Sequence, residues 1–201
     1  MRAIEPAPNL LLVGGPKCGT TSLLLWLRKH NEVYHPWERI NSGAVESGFL
    51  LGGVVDYPFE MSKPRGTLFL PHEADMDYFK GERLIIDKSP PHLYSKRALE
   101  TVRDLMPEAR VIITVRDPYD LMISLFHQQK KTEHFKTSFE SLISKIDSQN
   151  WIASAEDPET WGFLTYPRFS SYVKNWIHEI GVDRVRVVQL KSIASNPRMV
   201  L

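Results

Sequence analysis

The sequence predicts a single α/β domain over residues 1–201, with a central parallel sheet flanked by helices on both faces. Three observations carry this expectation. The apolar run Leu10 to Val13 empties into a glycine-rich turn and then into a helical pattern. Further β-branched runs alternate with amphipathic stretches, the order that calls for right-handed crossovers between parallel strands. The chain has 201 residues, 42% hydrophobic and 24% charged, which supply one sizeable core but not the length for a second.

Taken in order, Leu10 to Val13 is short, continuous and closed by glycines, as a strand buried on both faces should be. Thr20 to His30 follows as a helix whose apolar side is Leu23, Leu24, Trp26 and Leu27. Residues 31–82 carry Pro36, Pro58, Pro64 and Pro71 and the glycines Gly48, Gly52 and Gly53, so loops with short helices are expected there. Arg83 to Asp87 is a second strand, broken by Pro90 and Pro91, and Ser95 to Met106 returns to a helical period. "ARVIITVRDP" is the clearest strand, stopped by Asp117-Pro118. Helices are then expected at Tyr119 to Lys131, at Ser138 to Ile146 and at Arg168 to Ile180, the last with Phe169, Tyr172, Val173, Trp176 and Ile180 on one side and Gly181 as its cap. "RVRVVQL" makes a fourth strand.

Bulk composition excludes several function classes. The formal net charge of +1 draws the chain neither to nucleic acid nor to a membrane surface, so an anion site must be local. No apolar run approaches the roughly 20 residues of a membrane helix. Cys18 is the single cysteine, which leaves no disulfide framework and no zinc spacing, and the seven histidines form no ligand pair, so no metal is expected. With Met1 as the native start, the N-terminus lacks a signal peptide and a cytoplasmic protein is expected; an upstream anchor removed would place it instead in the Golgi lumen.

The chemistry starts at "GGPKCGTT". Glycines after a strand let backbone N–H groups wrap an anion, with the positive end of the next helix behind it. Against G-x-x-x-x-G-K-[ST], Gly14, Gly19 and Thr21 fit, but Thr20 stands where an ATP-type loop needs lysine. The lysine is instead Lys17, inside a P-loop-type turn, where it can approach the bridge between one phosphate and a group in transfer. Thr20, Thr21 and Ser22 bring three hydroxyls to the same place. Farther on, "VRDPYDLMIS" puts Arg116 at the end of a strand and Ser124 eight residues later on a helix, an arginine fork and a hydroxyl for a second, separate phosphate. The two loops together describe a nucleotide phosphorylated at two positions.

At this point the sequence resembles the sulfotransferases that use 3′-phosphoadenosine 5′-phosphosulfate (PAPS). "GGPKCGTTSLLLWL" is similar to that family's 5′-phosphosulfate loop, and "RDPYDLMIS" to its 3′-phosphate motif. "DKSPPHLYS" resembles the E-K-[ST]-P-x-Y segment of the glycosaminoglycan or carbohydrate-type branch, with Asp87 for Glu and His92 for the aromatic. The resemblance implies transfer of a sulfuryl group from PAPS to a hydroxyl or amine by in-line displacement, leaving the bisphosphate PAP, with no metal. It implies that Gly15, Pro16, Lys17, Cys18, Gly19, Thr20, Thr21 and Ser22 bind the 5′ end, with Lys17 on the sulfate and bridging oxygen. Arg116 and Ser124 would hold the 3′-phosphate, and Lys88 would sit near the transferring group.

For the acceptor proton the resemblance offers Glu38 in "HPWERI", then His92, then His35. The acceptor itself, a small molecule or carbohydrate, is not readable. By comparison with the family the chain is expected to lack the C-terminal part that covers the nucleotide. A non-catalytic binder of PAPS or PAP is the main alternative, and a P-loop nucleotide kinase a more distant one.

Overall fold

A computed structural model describes residues 7–36, 50, 78–131, 137–148 and 161–195. Its elements run β1 (Leu10–Gly14), α1 (Thr20–Leu27), β2 (Val33–Tyr34), β3 (Leu84–Lys88), a 3₁₀ turn (Pro90–Tyr94), α2 (Lys96–Leu105), β4 (Arg110–Val115), α3 (Pro118–Lys130), α4 (Phe139–Ser148), α5 (Trp161–Thr165), a second 3₁₀ turn (Tyr166–Arg168), α6 (Phe169–Ile180), β5 (Val185–Gln189) and α7 (Leu190–Ser195). The five strands are parallel in the order β2-β3-β1-β4-β5. The single α/β domain with helices on both faces is as the sequence predicts. The strand count differs: Val33–Tyr34, a two-residue strand in a stretch expected to be loop, adds a fifth at the edge.

Alternation along β1 sends its residues into two cores. Leu10 and Leu12 meet Leu23, Leu24 and Leu27 of α1 and Ile86 of β3 on one face, with Ile193 of α7 packed alongside. Leu11 and Val13 join Val111, Ile113 and Val115 of β4 on the other, under Ala98 and Val102 of α2, Leu121 and Leu125 of α3, and Trp176 and Ile180 of α6. β1 is therefore buried along its whole length, which accounts for its unbroken apolar run. Each buried leucine here contributes about 1.5–3 kcal/mol.

The helix ends are set by local chemistry. Ser95 Oγ accepts the Ala98 N–H at the start of α2, and Asp117 accepts from Tyr119 and Asp120 at the start of α3, where Pro118 occupies the first turn. α1 stops at Leu27, short of the expected His30, because the chain tightens into i→i+3 bonds, Lys29 N–H to Trp26 O and His30 N–H to Leu27 O. At the other end of the sheet, the Arg184 guanidinium donates to the carbonyls of Ile180 at 2.9 Å and Met106 at 3.3 Å, tying the approach to β5 to the turn before β4.

The order of the strands fixes where a ligand can sit. The chain leaving β1 turns toward β2, and the chain leaving β4 turns toward β5. The crevice that opens between them lies beyond the carboxyl ends of β1 and β4.

Candidate active site

One wall of that crevice is the loop between β1 and α1. Gly14 lies against β4 so closely that a Cβ there would meet the Thr114 carbonyl and Oγ1 at 2.4 Å, and the Gly15 N–H donates to the same carbonyl. A Cβ on Gly15 would press on Cys18 Sγ at 2.8 Å and on the Tyr94 hydroxyl at 3.3 Å. Lys17 and Gly19 both take left-handed backbone conformations, with φ of 63° and 84°. Lys17 is the one non-glycine residue with positive φ among the described residues. This alternation curls the main chain into a cradle for an anion.

Behind the cradle stands the N-terminus of α1, with no side-chain cap and no acidic residue in its first turn. Uncapped amides and the positive end of the helix dipole favour a bound anion at that position. Thr20 is buried, Thr21 half-buried and Ser22 exposed, so the three hydroxyls are graded from the base of the helix outward. Lys17 is exposed, and Pro16 is half-buried beside it. Cys18 is buried, and burial pushes its thiol up to about 12 despite the opposing influence of Arg116 and of a hydrogen bond from the loop.

The second wall comes from β4 and α3. Arg116 leaves the end of β4 and reaches back, its Nη1 donating to the main-chain carbonyl of Lys17 at 3.4 Å. The two loops that the sequence reads as separate phosphate sites are thereby joined. Ser124 lies in the second turn of α3, half-buried, and the Asp117 cap fixes the start of that helix.

The third wall is the carboxyl end of β3. Lys88 is 2% exposed, a buried ammonium at the strand's last position, in register with Leu12. Asp87 points to the opposite face, where its Oδ2 lies 3.6 Å from His92 Nδ1, both side chains fully enclosed. Neither ring nitrogen of His92 makes a hydrogen bond within the described residues. His35, just after β2, is also buried; burial drives its pKa down to about 4, with Asp87 opposing and Arg28 and Lys88 reinforcing the shift. Glu38 lies outside the described residues.

Comparison with known proteins gives the family and the fold. The family described as "Sulfotransferase domain" matches residues 7–200. The chain belongs to the sulfotransferase family. Among curated relatives of this sulfotransferase-family chain, mouse heparan sulfate glucosamine 3-O-sulfotransferase 3B1 is 22% identical over 190 residues, covering 94% of this chain and 43% of that protein. The Xenopus laevis bifunctional heparan sulfate N-deacetylase/N-sulfotransferase 1 is 22% identical over 205 residues, covering 96% of the chain and 21% of that protein. The chain thus spans less than half the length of these curated relatives. Among solved structures, a sulfotransferase from Alicyclobacillus acidocaldarius superposes with a TM-score of 0.73 at 23% identity, over 94% of this chain and 76% of that one. A sulfotransferase domain from the curacin biosynthetic pathway gives 0.53 at 15% identity, over 96% and 70%. These structures share the fold.

In this sulfotransferase-family domain the residues that sequence reasoning missed are those beneath the site. Tyr94 packs under Gly15 and donates to the Tyr166 carbonyl at 3.0 Å, while its ring meets Tyr166 and Tyr172 edge-on. Next to it the Leu93 carbonyl accepts from Trp176 Nε1 at 3.0 Å. The 3₁₀ turn after Lys88 is thus anchored from α6 and supports the loop after β1. The double proline of "SPPHLY" signals a rigid turn, but nothing in its spacing says which distant aromatic residues it meets.

Proposed function

We propose that this chain transfers a sulfuryl group from PAPS to a hydroxyl or amine of an acceptor by in-line displacement. The observation that carries this function is the bond from Arg116 to the Lys17 carbonyl, which brings the two anion-binding loops to one crevice. Fit to a nucleotide phosphorylated at both ends is supported by the glycine cradle, by the uncapped and acid-free start of α1, and by the half-buried arginine across from it.

PAPS, when bound, supplies a sulfuryl group on a phosphate leaving group. This chain's residues then divide the work. The loop from Gly15 to Gly19 and the hydroxyls of Thr20, Thr21 and Ser22 hold the 5′-phosphate, and Arg116 with Ser124 holds the 3′-phosphate. Lys17 would place its ammonium where negative charge grows on the departing oxygen, and Lys88 would sit near the transferring group. Cations at such positions act most strongly in the transition state, and removal of one group of this kind costs on the order of 10²–10³ in rate. Glu38 takes the acceptor proton. The rival imidazoles favour that assignment, since His92 is enclosed against Asp87 and His35 is buried and weakly basic.

The named substrates of the curated relatives suggest heparan-type saccharides as the first acceptors to try, alongside small phenols and alcohols. None of the described helices is long and apolar enough to cross a membrane. Calorimetry with PAP and, separately, with Mg-ATP tests the donor site: binding of PAP is expected, and tight Mg-ATP binding without a response to PAP would overturn the proposal. Radiolabelled sulfate transfer from PAPS to the acceptor panel tests the reaction. PAP binding with no transfer to any acceptor would instead mark a binding protein.

A further inference from the structure

The enclosed pair Asp87 and His92 has no part in the chemistry just described, yet it flanks Lys88. Asp87 immediately precedes that lysine on β3, and His92 sits in the 3₁₀ turn that follows. Their 3.6 Å contact closes the chain into a small ring around Lys88 and Ser89. Main-chain bonds tighten the same ring: the Ser89 N–H donates to Leu12 O at 3.1 Å, and the His92 N–H to Ser89 O at 3.0 Å. A strand's last residue ordinarily has freedom that the interior lacks. Here the strand end is held from β1, from its own turn and from the carboxylate–imidazole contact.

A fully buried imidazole whose nitrogens lack hydrogen bonds is destabilising, and an aromatic ring of similar size would pack there without that penalty. Packing alone therefore does not explain an imidazole at this position. Contact with Asp87 does explain it: the approach of Nδ1 to the carboxylate, 3.6 Å from Oδ2, holds Asp87 on its own face of β3. The carboxylate then stays off the face that carries the Lys88 ammonium.

We propose that Asp87 and His92 are positioning residues for Lys88. They fix the strand end and keep the carboxylate on the opposite face, so that the ammonium is aimed at the anion in the crevice. This role rests on the proposed sulfuryl transfer, in which Lys88 meets the transferring group rather than the bisphosphate.

A double-mutant cycle tests it, using the full chain with His92→Phe and Lys88→Met. His92→Phe is expected to keep or raise the melting temperature and to leave PAP affinity within twofold, while slowing sulfate transfer from PAPS by up to ~10²-fold through misplacement of Lys88. In the Lys88→Met background the same substitution should change the transfer rate by less than twofold, because residues acting through one another are not additive. Equal slowing in both backgrounds would overturn the proposal and make His92 a proton acceptor in its own right. No slowing in either background would reduce His92 to a core residue. Should the panel yield no sulfated acceptor, the Lys88 Cε and Nζ resonances of the PAP-bound chain decide: they should move in His92→Phe and in Asp87→Asn, and unmoved resonances would sink the idea. Failure of the wild-type chain to bind PAP would be a failure of the donor assignment, recognisable as such because it precedes every variant.

Discussion

Arg116 Nη1 donates to the carbonyl of Lys17, so the loop after β1 and the loop after β4 share one hydrogen bond across 3.4 Å. Arg116→Ala removes both this tie and the fork assigned to the 3′-phosphate. A hydrogen bond with a charged partner contributes about 1.5–3 kcal/mol, so PAP affinity should fall on the order of 10- to 100-fold. The melting temperature should hardly change, because Arg116 is only half-buried. Calorimetry with PAP reads the effect, and Arg116→Lys, which keeps charge but loses the fork, should recover little of it.

Lys17 pays for its position with a left-handed backbone, φ 63°. Glycine adopts this conformation freely, so Lys17→Gly should stabilise the fold by about 1 kcal/mol relative to Lys17→Ala. Both variants should lose ~10²–10³ in transfer rate. Urea denaturation beside the radiolabel assay separates the two effects. Equal stabilities of the glycine and alanine variants would remove the strain from the account.

Cys18, whose thiol burial pushes up to about 12, should behave as an inert packing group. A thiol-reactive disulfide reagent at mildly alkaline pH should leave the native chain unlabelled and label the unfolded chain at once. Rapid labelling of the native chain would show that the loop opens to solvent.

His35 carries a pH dependence of stability with a definite sign. Its folded pKa, about 4, lies below the ordinary imidazole value of 6.5, so between these values the unfolded chain binds a proton that the folded chain refuses. The full stability is present above 6.5 and is lost as the pH falls toward 4. With each pKa unit equal to 1.36 kcal/mol, the loss is about 3 kcal/mol. The urea midpoint of wild type should drop across that window, and His35→Phe should flatten the difference. A parallel drop in both proteins would assign the acid sensitivity elsewhere.

Legibility in the sequence follows from how local each cause is. Leu10 to Val13 and the "VIITV" of β4 are apolar because both faces are covered, so their burial is written in the residues themselves. Gly14 and Gly19 are legible for a similar reason, since close approach or a positive φ demands glycine at those positions. Val33–Tyr34 has too few residues to display a period, and its strand character comes from the edge of β3 that it joins. The short helix Trp161–Thr165 owes its place to Phe163 entering the core, and α7 follows β5 directly with no cap to announce it. At the candidate site, the loops after β1 and β4 are readable as patterns. The Asp87–His92 contact and the Tyr94 support are not, because they depend on which side of a turn a residue faces and on partners as distant in the chain as Tyr166 and Tyr172.

The strand order has a consequence for how such a domain can diversify. The crevice proposed for the donor lies at the centre of the sheet, between the loops following β1 and β4, whereas the long connection 35–83 leaves and rejoins at the β2–β3 edge. Lengthening a connection of that kind costs only about 0.6 kcal/mol per doubling in closure entropy. Apart from the buried Leu50, which belongs to the core shared with β1 and β4, natural variation can therefore rewrite that stretch while the central crevice keeps its geometry.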